Sequence, residues 1–521
     1  MPIAQFAHGV ASGDPRPTSV ILWTRVTPTT ASKPGSGVGP NVVVGWQVST
    51  NNRFTRIVRA GKFSTGPGRD HTVKVDATGL QPGRTYYYRF SYGSVRSAVG
   101  RTRTAPAATS SPANLRLGVV SCSNLQAGWF SSYRHLADRD DLHAVIHLGD
   151  YIYEYGPGQY GYGQGDKDIR THEPTHEILN LGNYRRRHGQ YKRDADLQRL
   201  HAKYAFIVTW DDHESTNDAF KDGAENHNPG EGSWAARRAA SHKAYDEWMP
   251  VRMNGTAQLG DGTTLYRRLT FGDLAEISML DLRTYRDAQL AAQVDPAQAD
   301  PARTITGRQQ MDWLKDSLTR RVSQWKLVGN PVMIAPVTFA GLPRDLIKPV
   351  NDTVGLLPPE GAPYNVDQWD GYTDDRREVF EHLRDNGVTD SLFVTGDIHS
   401  GWACDLPADK ATYVGTKDSV GVEFVATSVT SNNLKDITGT PRRTTSIAAE
   451  EGLKTNNPHI KYLNFDDHGF SVLDITPKRA QMDWYIIGDR ASKTAGVSWT
   501  TSWATTAGSQ TVRQVFGPVG S

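Results

Sequence analysis

The stretch Ala144–Tyr153, AVIHLGDYIY, sets the pattern for most of this chain, because a short apolar run ends in a glycine, an aspartate and two tyrosines. Three other apolar runs lead directly into polar side chains: Leu115–Val120 before SCSN, Ala205–Trp210 before DDHE, and Ser391–Thr395 before GDIH. Apolar runs that alternate with helical patterns indicate a layered α/β fold, in which ligands bind beyond the carboxyl ends of the strands. We therefore expect these four strand ends to lie at one edge.

The first hundred residues follow a different pattern, in which short runs rich in β-branched and aromatic residues alternate with glycine, proline and asparagine clusters. Examples are Ser19–Val26, Val42–Ser49 and Thr85–Phe90, the last preceded by a turn as in fibronectin III sandwiches. Residues 101–113, RTRTAPAATSSPA, contain few large apolar side chains and indicate a linker. Near the end, Gly469–Ile487 is typical of a β-hairpin.

A chain of 521 residues is long enough to bury a large core in more than one domain. The patterns predict an all-β sandwich, a linker, a larger α/β domain and a C-terminal segment rich in serine, threonine and glycine. We place the sandwich at residues 1–103, the linker at 104–113, the α/β domain at 114–490, and a tail or lid at 491–521.

Composition excludes several classes of protein. Lysine and arginine number 58 and aspartate and glutamate 56, and the formal net charge of +2 does not favour an electrostatic nucleic-acid binder. No apolar run approaches the roughly 20 residues that a membrane span needs, and Cys122 and Cys404 alone do not make a disulfide scaffold. The N-terminus lacks the basic and apolar regions of a signal peptide, as expected of a cytoplasmic protein or a mature secreted one.

The four strand ends together carry cysteine, aspartate, tyrosine and histidine side chains. Oxygen donors with imidazole are the ligands that divalent and trivalent metals need, and two adjacent metals suit phosphoryl transfer. A single aspartate after a strand is usually a turn or helix N-cap residue, and a lone buried cysteine is usually a small apolar side chain. Because all four ends carry such residues, we predict one shared metal site.

The spacing of these residues resembles that of a known family. Gly-Asp-x-x-Tyr, then Asp-His-Glu, then Gly-x-x-His, resembles the dinuclear metallophosphoesterases. Longer strings over essentially the whole chain resemble the alkaline phosphatase D (PhoD) family, including its actinobacterial phospholipase D-like members. These strings are Gly9–Pro15, Val20–Arg25, Ser121–Asn124, His147–Tyr153, Trp210–Glu214, Val394–Ser400, Ser428–Ser431 and Asp467–Phe470. The resemblance implies an immunoglobulin- or fibronectin III-like sandwich followed by a calcineurin-like α/β domain, whose layered β-sandwich core is flanked by helices.

The resemblance implies seven metal ligands, which are Cys122, Asp150, Tyr153, Asp212, Asn217, Asp397 and His399. Asp150 would bridge two metals, and Cys122, Tyr153 and His399 would bind Fe³⁺, an ion that suits thiolate and phenolate. The remaining three would bind the second metal, Ca²⁺ in this family, with Mn²⁺ or Zn²⁺ as alternatives. The chain departs from the wider dinuclear pattern at Cys122, where aspartate is usual, and at Asp397, where histidine is usual. Both departures agree with alkaline phosphatase D.

The resemblance also implies catalytic roles at this centre. Asp150 and His213 would be catalytic, with His213 acting as general acid for the leaving group or orienting the phosphate. Asn124 would lie near a phosphate oxygen. Hydrolysis would proceed by attack of a metal-bound hydroxide, without a protein nucleophile.

Two further residues are candidate substrate contacts. Arg185 lies in the basic stretch 184–193 and would reach a phosphate bidentately, although such a stretch is more often a solvated helix face. Trp402 follows His399 closely and would enclose a choline headgroup by cation–π contact, although most tryptophans are packing residues.

We therefore expect a metal-dependent, phospholipase D-like phosphodiesterase that acts on phospholipid or glycerophospho headgroup esters and also hydrolyses phosphomonoesters. Two alternatives stay open: an alkaline phosphatase for monoesters, and a non-catalytic secreted binding protein with a vestigial metal site. The resemblance implies a secreted protein. We expect a monomer whose partner is a small-molecule or lipid phosphoester, with transient contact to a lipid surface and no nucleic-acid partner.

Two other motifs carry less weight. His172–His176, HEPTH, matches the H-E-x-x-H pattern of zinc proteases, but Pro174 disfavours the helix that this motif needs. Gly156–Gly161 matches G-x-G-x-x-G, but it leads into a polar stretch instead of an amphipathic helix. We expect a rim loop beside the metals there.

Overall fold

Three β-sheets form the frame of the protein, and the computed structural model describes residues 5–339 and 362–520. The strands are β1 (Val10–Arg16), β2 (Ser19–Arg25), β3 (Val42–Ser49), β4 (Ile57–Thr65), β5 (Thr72–Thr78), β6 (Thr85–Tyr92), β7 (Val95–Arg96), β8 (Gly100–Arg103), β9 (Leu115–Val120), β10 (Ala144–Leu148), β11 (Ala205–Thr209), β12 (Arg267–Phe271), β13 (Ala275–Met279), β14 (Trp325–Asn330), β15 (Ser391–Thr395), β16 (Gly401–Pro407), β17 (Ser419–Val425), β18 (Ile460–Asn464), β19 (Gly469–Ile475), β20 (Arg479–Ile487), β21 (Val497–Thr506) and β22 (Val512–Val515).

The largest sheet joins the two parts of the chain. Its ten strands run in the order β22-β21-β20-β19-β9-β10-β11-β1-β2-β5, and β1 pairs in parallel with β11, with Ser12 opposite Ala205. Strands β3, β4, β6, β7 and β8 form a separate sheet, and apolar side chains from both sheets, such as Leu22 and Phe90, form one buried cluster. The predicted all-β N-terminal sandwich is confirmed, and one of its layers continues into the sheet of the larger domain.

The third sheet has seven strands in the order β12-β13-β14-β15-β17-β16-β18 and packs face to face against the ten-stranded sheet. Val119 and Leu148 from one sheet and Leu327 and Val394 from the other belong to a single buried apolar cluster. Strands that are buried on both faces appear in a sequence as continuous apolar runs, which is the pattern at β9, β10, β11 and β15. The predicted layered α/β fold is confirmed.

Helices cover the outer faces of the two large sheets. They are α1 (Ser131–Asp138), α2 (Leu181–Tyr191), α3 (Ala195–Lys203), α4 (Trp234–Trp248), α5 (Arg308–Thr319), α6 (Thr373–Asp385), α7 (Tyr413–Thr416), α8 (Leu434–Thr438) and α9 (Thr445–Asn456). Helices α1 to α4 pack on the ten-stranded sheet, and α5 and α6 pack on the seven-stranded one. In the part of the chain that the structure describes, no helix is long and apolar enough to cross a membrane.

The C-terminal segment differs from the tail or lid that the sequence suggested for residues 491–521. Strands β21 and β22 extend the edge of the ten-stranded sheet, and β21 pairs antiparallel with β20 from Val497 opposite Ile487 to Thr506 opposite Arg479. The physical reason is the composition of β21, VSWTTSWATT, since threonine, valine and tryptophan suit a pleated, half-buried surface. The domain boundaries proposed at residues 103, 113 and 490 stay predictions.

A substitution at Gly13 tests the junction between the N-terminal layer and the larger sheet. A Cβ at this position would overlap the carbonyl oxygen of Pro250 and lie 2.8 Å from that of Phe206. Because backbone atoms must move to make room, we expect Gly13→Ala to lower stability by about 1–3 kcal/mol, measured as a lower urea midpoint. In the matched control Gly68→Ala, the new Cβ meets nothing within 4 Å. Equal midpoints for the two variants would contradict the close packing of this junction.

Candidate metal centre

The carboxyl ends of β9, β10, β11 and β15 meet at one edge, as the sequence predicts. Four residues that follow these strands have left-handed backbone φ angles: 57° at Cys122 and at Asp150, 59° at Asp397 and 51° at His399. Such angles are uncommon outside glycine, cost about 1–3 kcal/mol each and cluster at functional sites. The chain therefore turns sharply after three of these strands, and the turns bring these four side chains together.

Glycine precedes two of the aspartates because the strand ends lie too close together for a side chain. A Cβ on Gly149, where φ is 104°, would lie 2.5 Å from the Cβ of Asp211 and 2.6 Å from its amide nitrogen. A Cβ on Gly396 would lie 2.8 Å from the Cβ of Ser121. The repeated Gly-Asp pair thus allows β10 to end against β11 and β15 to end against β9.

Candidate ligand atoms form three groups, each with its atoms within 4.8 Å of one another. The groups are Cys122, Asp150 and His399; Asp150, Asp212 and His213; and Asp150, Asp211, Asp212 and Asp397. Asp150 belongs to all three groups, so its carboxylate lies where a ligand shared by two adjacent ions would have to lie. These groups contain five of the seven predicted metal ligands, which are Cys122, Asp150, Asp212, Asp397 and His399.

Tyr153 completes the group around Cys122. Its buried hydroxyl donates a hydrogen bond to Oδ2 of Asp150 at 2.9 Å. Burial and the Asp150 carboxylate raise the pKa of both the Tyr153 phenol and the Cys122 thiol well above their ordinary values. Both cysteines of the chain are free, so Cys122 is not consumed by a disulfide. Because a bound cation deprotonates coordinating thiols and phenols, this donor set fits a ferric ion.

The carboxylates also fit a cation. Oδ1 of Asp150 is buried and has no hydrogen-bond partner among the described residues, and an orphaned buried oxygen is costly. Burial raises the pKa of Asp150 and of Asp397 well above the usual range, and neighbouring aspartates raise it further. Desolvation lowers the pKa of His399 to about 4, so its imidazole is neutral and can bind a metal.

Arg283 supplies a fixed positive charge beside these carboxylates. Its guanidinium donates to Asp211 at 2.6 and 3.0 Å and to Asp367 at 2.9 Å twice. It also lies 3.8 Å from carboxylate oxygens of Asp212 and Asp397. Burial alone would raise the pKa of Asp212, but the positive charges of Arg283 and of a neighbouring histidine lower it. Arg283 therefore offsets part of the repulsion, but Oδ1 of Asp150 still has no hydrogen-bond partner among the described residues.

His213 is paired with a buried carboxylate. Its Nδ1 lies 2.7 Å from Oε2 of Glu154, whose Oε1 accepts from the amide of Asn217 and the side chains of Thr216 and Asn226. Burial would lower the pKa of His213, but Asp212, Glu154 and Asp150 raise it well above its ordinary value. These carboxylates therefore favour the protonated form of the His213 imidazole, and Glu154 fixes its Nδ1.

A cleft of about 480 Å³ opens over these residues. Asp212, His213, Asn217, Asp397 and His399 contribute to its wall. The wall continues along a second set of residues with no part in the predicted centre, which includes Gln289, Leu290, Tyr364 and Asn365. The cleft therefore provides space for a substrate beside the candidate metal ligands.

Three predicted substrate contacts have other roles. Asn124 is buried, and its side chain donates to the carbonyl of Tyr160 at 2.6 Å, so that it holds the rim loop. The prediction for Arg185 is wrong, because this residue forms a buried bidentate ion pair with Glu247 at 2.7 Å, between α2 and α4. The prediction for Trp402 is also wrong, since its ring is fully buried and its Nε1 donates to Ser400.

Sequence reasoning missed several residues of the site. Tyr160 lies in the predicted rim loop, where its ring stacks on those of Tyr153 and His213 with centroids 5.9 Å away in each case. Glu214 accepts hydrogen bonds from the amides of Asp150, Tyr151 and Asp211, so it fixes two strand ends together. Arg283 follows β13, so the rule of inspecting residues after each strand would have found it.

Known proteins share this architecture. Residues 117–484 match the family model described as PhoD-like phosphatase, and residues 2–106 match the model of the N-terminal domain of that family. The chain is 35% identical over 488 residues to alkaline phosphatase D of Bacillus subtilis (strain 168), covering 92% of this chain and 77% of that protein. A solved structure of PhoD matches with a TM-score of 0.86 and 32% identity, covering 100% of this chain and 94% of that chain. The chain therefore belongs to the PhoD-like phosphatase family of metal-dependent phosphoric ester hydrolases.

Proposed function

We propose that this protein hydrolyses phosphodiesters of the phospholipid or glycerophospho headgroup type, with phosphomonoesterase activity at the same site. The observation that carries the proposal is the position of Asp150, whose carboxylate belongs to all three groups of candidate ligands. Two adjacent cations sharing one carboxylate suit hydrolysis of a phosphoester without a covalent intermediate on the protein.

The donor types favour two different ions. Cys122, Tyr153 and His399 would hold Fe³⁺ together with Asp150, because thiolate and phenolate donors suit this ion. Asp212, Asn217 and Asp397 would hold Ca²⁺, which prefers carboxylate and amide oxygens, and Mn²⁺ or Zn²⁺ are the alternatives. When bound, the ions would supply Lewis acidity that activates water as the nucleophile and neutralises charge on the phosphoryl oxygens.

His213 would supply the proton that the leaving oxygen needs. Its imidazole lines the cleft and is fixed through Nδ1 by Glu154, and the carboxylates of Asp212, Glu154 and Asp150 raise its pKa above the ordinary value. Nε2 is then the nitrogen that donates. General acid catalysis of this kind contributes about 10²–10⁴-fold to a rate.

The shape and charge of the cleft favour a diester. Its volume of about 480 Å³ extends beyond the metal ligands, along Gln289 and Tyr364, and leaves room for an alcohol group on the far side of phosphorus. No lysine or arginine from residues 5–339 or 362–520 contributes to the lining, whereas a monoester carries one more negative charge to be balanced. The kinship with alkaline phosphatase D of Bacillus subtilis favours a second candidate function, hydrolysis of monoesters.

We also propose that the protein is secreted and monomeric, as its resemblance to exported phosphoesterases suggests. Its partner would be a small-molecule or lipid phosphoester, and contact with a lipid surface would be transient. A balanced formal charge of +2 supports the expectation that nucleic acid is not a partner.

An assay with two chromogenic esters tests the proposed function. We expect the purified protein to hydrolyse bis(4-nitrophenyl) phosphate with a higher kcat/KM than 4-nitrophenyl phosphate, and a chelator to remove both activities. Asp150→Asn should also remove both, because it takes away the shared carboxylate, whereas Asp138→Asn, on the exposed end of α1, should not. A preference for the monoester would identify an alkaline phosphatase, and turnover that survives the chelator would contradict the metal centre.

A pH profile of Glu154→Gln tests the role of His213. The Glu154 carboxylate raises the pKa of His213, and a general acid is active only below its pKa. Removing this negative charge should lower the pKa of His213, so the alkaline limb of kcat/KM should move to lower pH. The control Glu451→Gln changes an exposed glutamate of α9 that pairs with Lys454 and should keep the native profile. An unmoved alkaline limb in Glu154→Gln would exclude His213 as the acid.

A further inference from the structure

The segment 428–433, SVTSNN, lies after β17 and packs against the loop that carries Cys122. The amide of Val429 donates to the carbonyl of Ser121 at 3.0 Å, and the amides of Thr430 and Ser431 both donate to the carbonyl of Cys122 at 3.2 Å. Its first four residues belong to the family-like strings of the sequence, but the predicted chemistry gives them no role. The segment thus forms an outer layer around one side of the metal centre.

This segment contacts the three residues that we propose as iron ligands in addition to the shared Asp150. Its Ser431 Oγ lies 2.6 Å from the phenol oxygen of Tyr153. The carbonyl of Asn432 lies 2.7 Å from Nδ1 of His399, which leaves Nε2 of that ring for a metal. Together with the contacts to Cys122, these bonds place one short stretch of chain behind all three ligands.

The Ser431 hydroxyl has two oxygens to which its proton could be donated. Ser431 Oγ is within reach of the Cys122 carbonyl at 3.0 Å as well as of Tyr153. That carbonyl already accepts from two amides and has two lone pairs, so the hydroxyl proton is free for the Tyr153 oxygen. Tyr153 itself donates to Asp150. Once Tyr153 is a phenolate, Ser431 is the hydrogen-bond donor to it among the residues that the structure describes.

Arg490 holds this segment from the far side. Its Nη1 donates to the carbonyl of Thr430 at 2.6 Å and its Nη2 to Oδ1 of Asn432 at 2.5 Å. The side chain is buried, its charge lies 3.0 Å from Asp436, and it stacks 4.7 Å from the ring centroid of Tyr162. The planar guanidinium makes these two bonds from two separate nitrogens, whereas a lysine has a single nitrogen to offer.

We propose that Ser431 is a positioning residue for the metal centre, which donates a hydrogen bond to the Tyr153 phenolate and is held in place by Arg490. The inference rests on the proposed iron site. A hydrogen bond to the phenolate stabilises its negative charge, so moving an electron from tyrosinate to Fe³⁺ requires more energy. Ser431 therefore sets both the direction of the phenol and its strength as an electron donor.

The test uses the visible tyrosinate-to-iron band of the metal-loaded, full-length protein. We expect the band of Ser431→Ala to move to longer wavelength, and the affinity for iron to fall about 10–100-fold, as for other residues that support a metal ligand. Resonance Raman enhancement of tyrosine ring modes assigns the band to Tyr153, as opposed to the thiolate. The matched control is Ser471→Ala, since Ser471 in β19 is fully buried and its hydroxyl has no hydrogen-bond partner among the described residues.

Two further variants keep the inference testable if Ser431→Ala does not fold. Ser431→Thr retains a hydroxyl and should keep the native band, and Arg490→Lys should move the band in the same direction as Ser431→Ala. If the band of Ser431→Ala and of Arg490→Lys keeps the native wavelength and both variants keep full iron affinity, the role of Ser431 alone is overturned. The proposed iron site would instead be contradicted if the native protein binds no iron. It would also be contradicted if the iron-bound native protein shows no enhanced tyrosine ring modes in its resonance Raman spectrum.

Discussion

The mutual repulsion of buried carboxylates is the constraint on which the rest of this structure depends. Asp150, Asp211, Asp212 and Asp397 place oxygens within 4.8 Å of one another at a buried edge, where like charges and desolvation both disfavour ionisation. Arg283 pairs with Asp211 and approaches two of the others, but it does not reach Asp150. Bound cations would compensate the remaining negative charge, and the left-handed backbone at the strand ends holds the carboxylates in position for them.

Much of the fold and of the centre could be predicted because both depend on local patterns. Continuous apolar runs identified β9, β10, β11 and β15, and the residues immediately after them included Cys122, Asp150, Tyr153, Asp212 and His399. The geometry of sheets then requires strand ends to meet, without any knowledge of distant contacts. The hairpin of β19 and β20 was recognisable for the same reason, since alternation and a short turn are properties of neighbouring residues.

The rest depended on contacts between residues far apart in the chain. Arg185 was expected at the substrate because it lies in a basic stretch, but its guanidinium forms an ion pair with Glu247, 62 residues later. Trp402 was expected at the cleft, but β16 places its ring in the core against Phe465. No local pattern shows that Ser431 would meet Tyr153, 278 residues earlier. The pairing of β1 with β11 is equally non-local, so the shared layer of the two sheets was not predicted.

Different parts of the molecule hold different residues of the site. The two sheets and their strained ends fix Asp150, while the 428–433 segment contacts Tyr153 and His399 and the Glu154 carboxylate contacts His213. The C-terminal residues belong to this arrangement through Arg490, which lies just after β20. The cleft wall continues beyond the candidate metal ligands along Gln289, Tyr364 and Asn365.

Anomalous diffraction at the iron absorption edge, from crystals of the protein as purified, tests the central claim most directly. The account predicts an iron peak within bonding distance of Cys122 Sγ, Tyr153 Oη, His399 Nε2 and one oxygen of Asp150. It also predicts a second ion next to Asp150, Asp212 and Asp397. A single ion that leaves Asp150 Oδ1 unbound, or an iron peak elsewhere in the molecule, would contradict a centre built around this carboxylate.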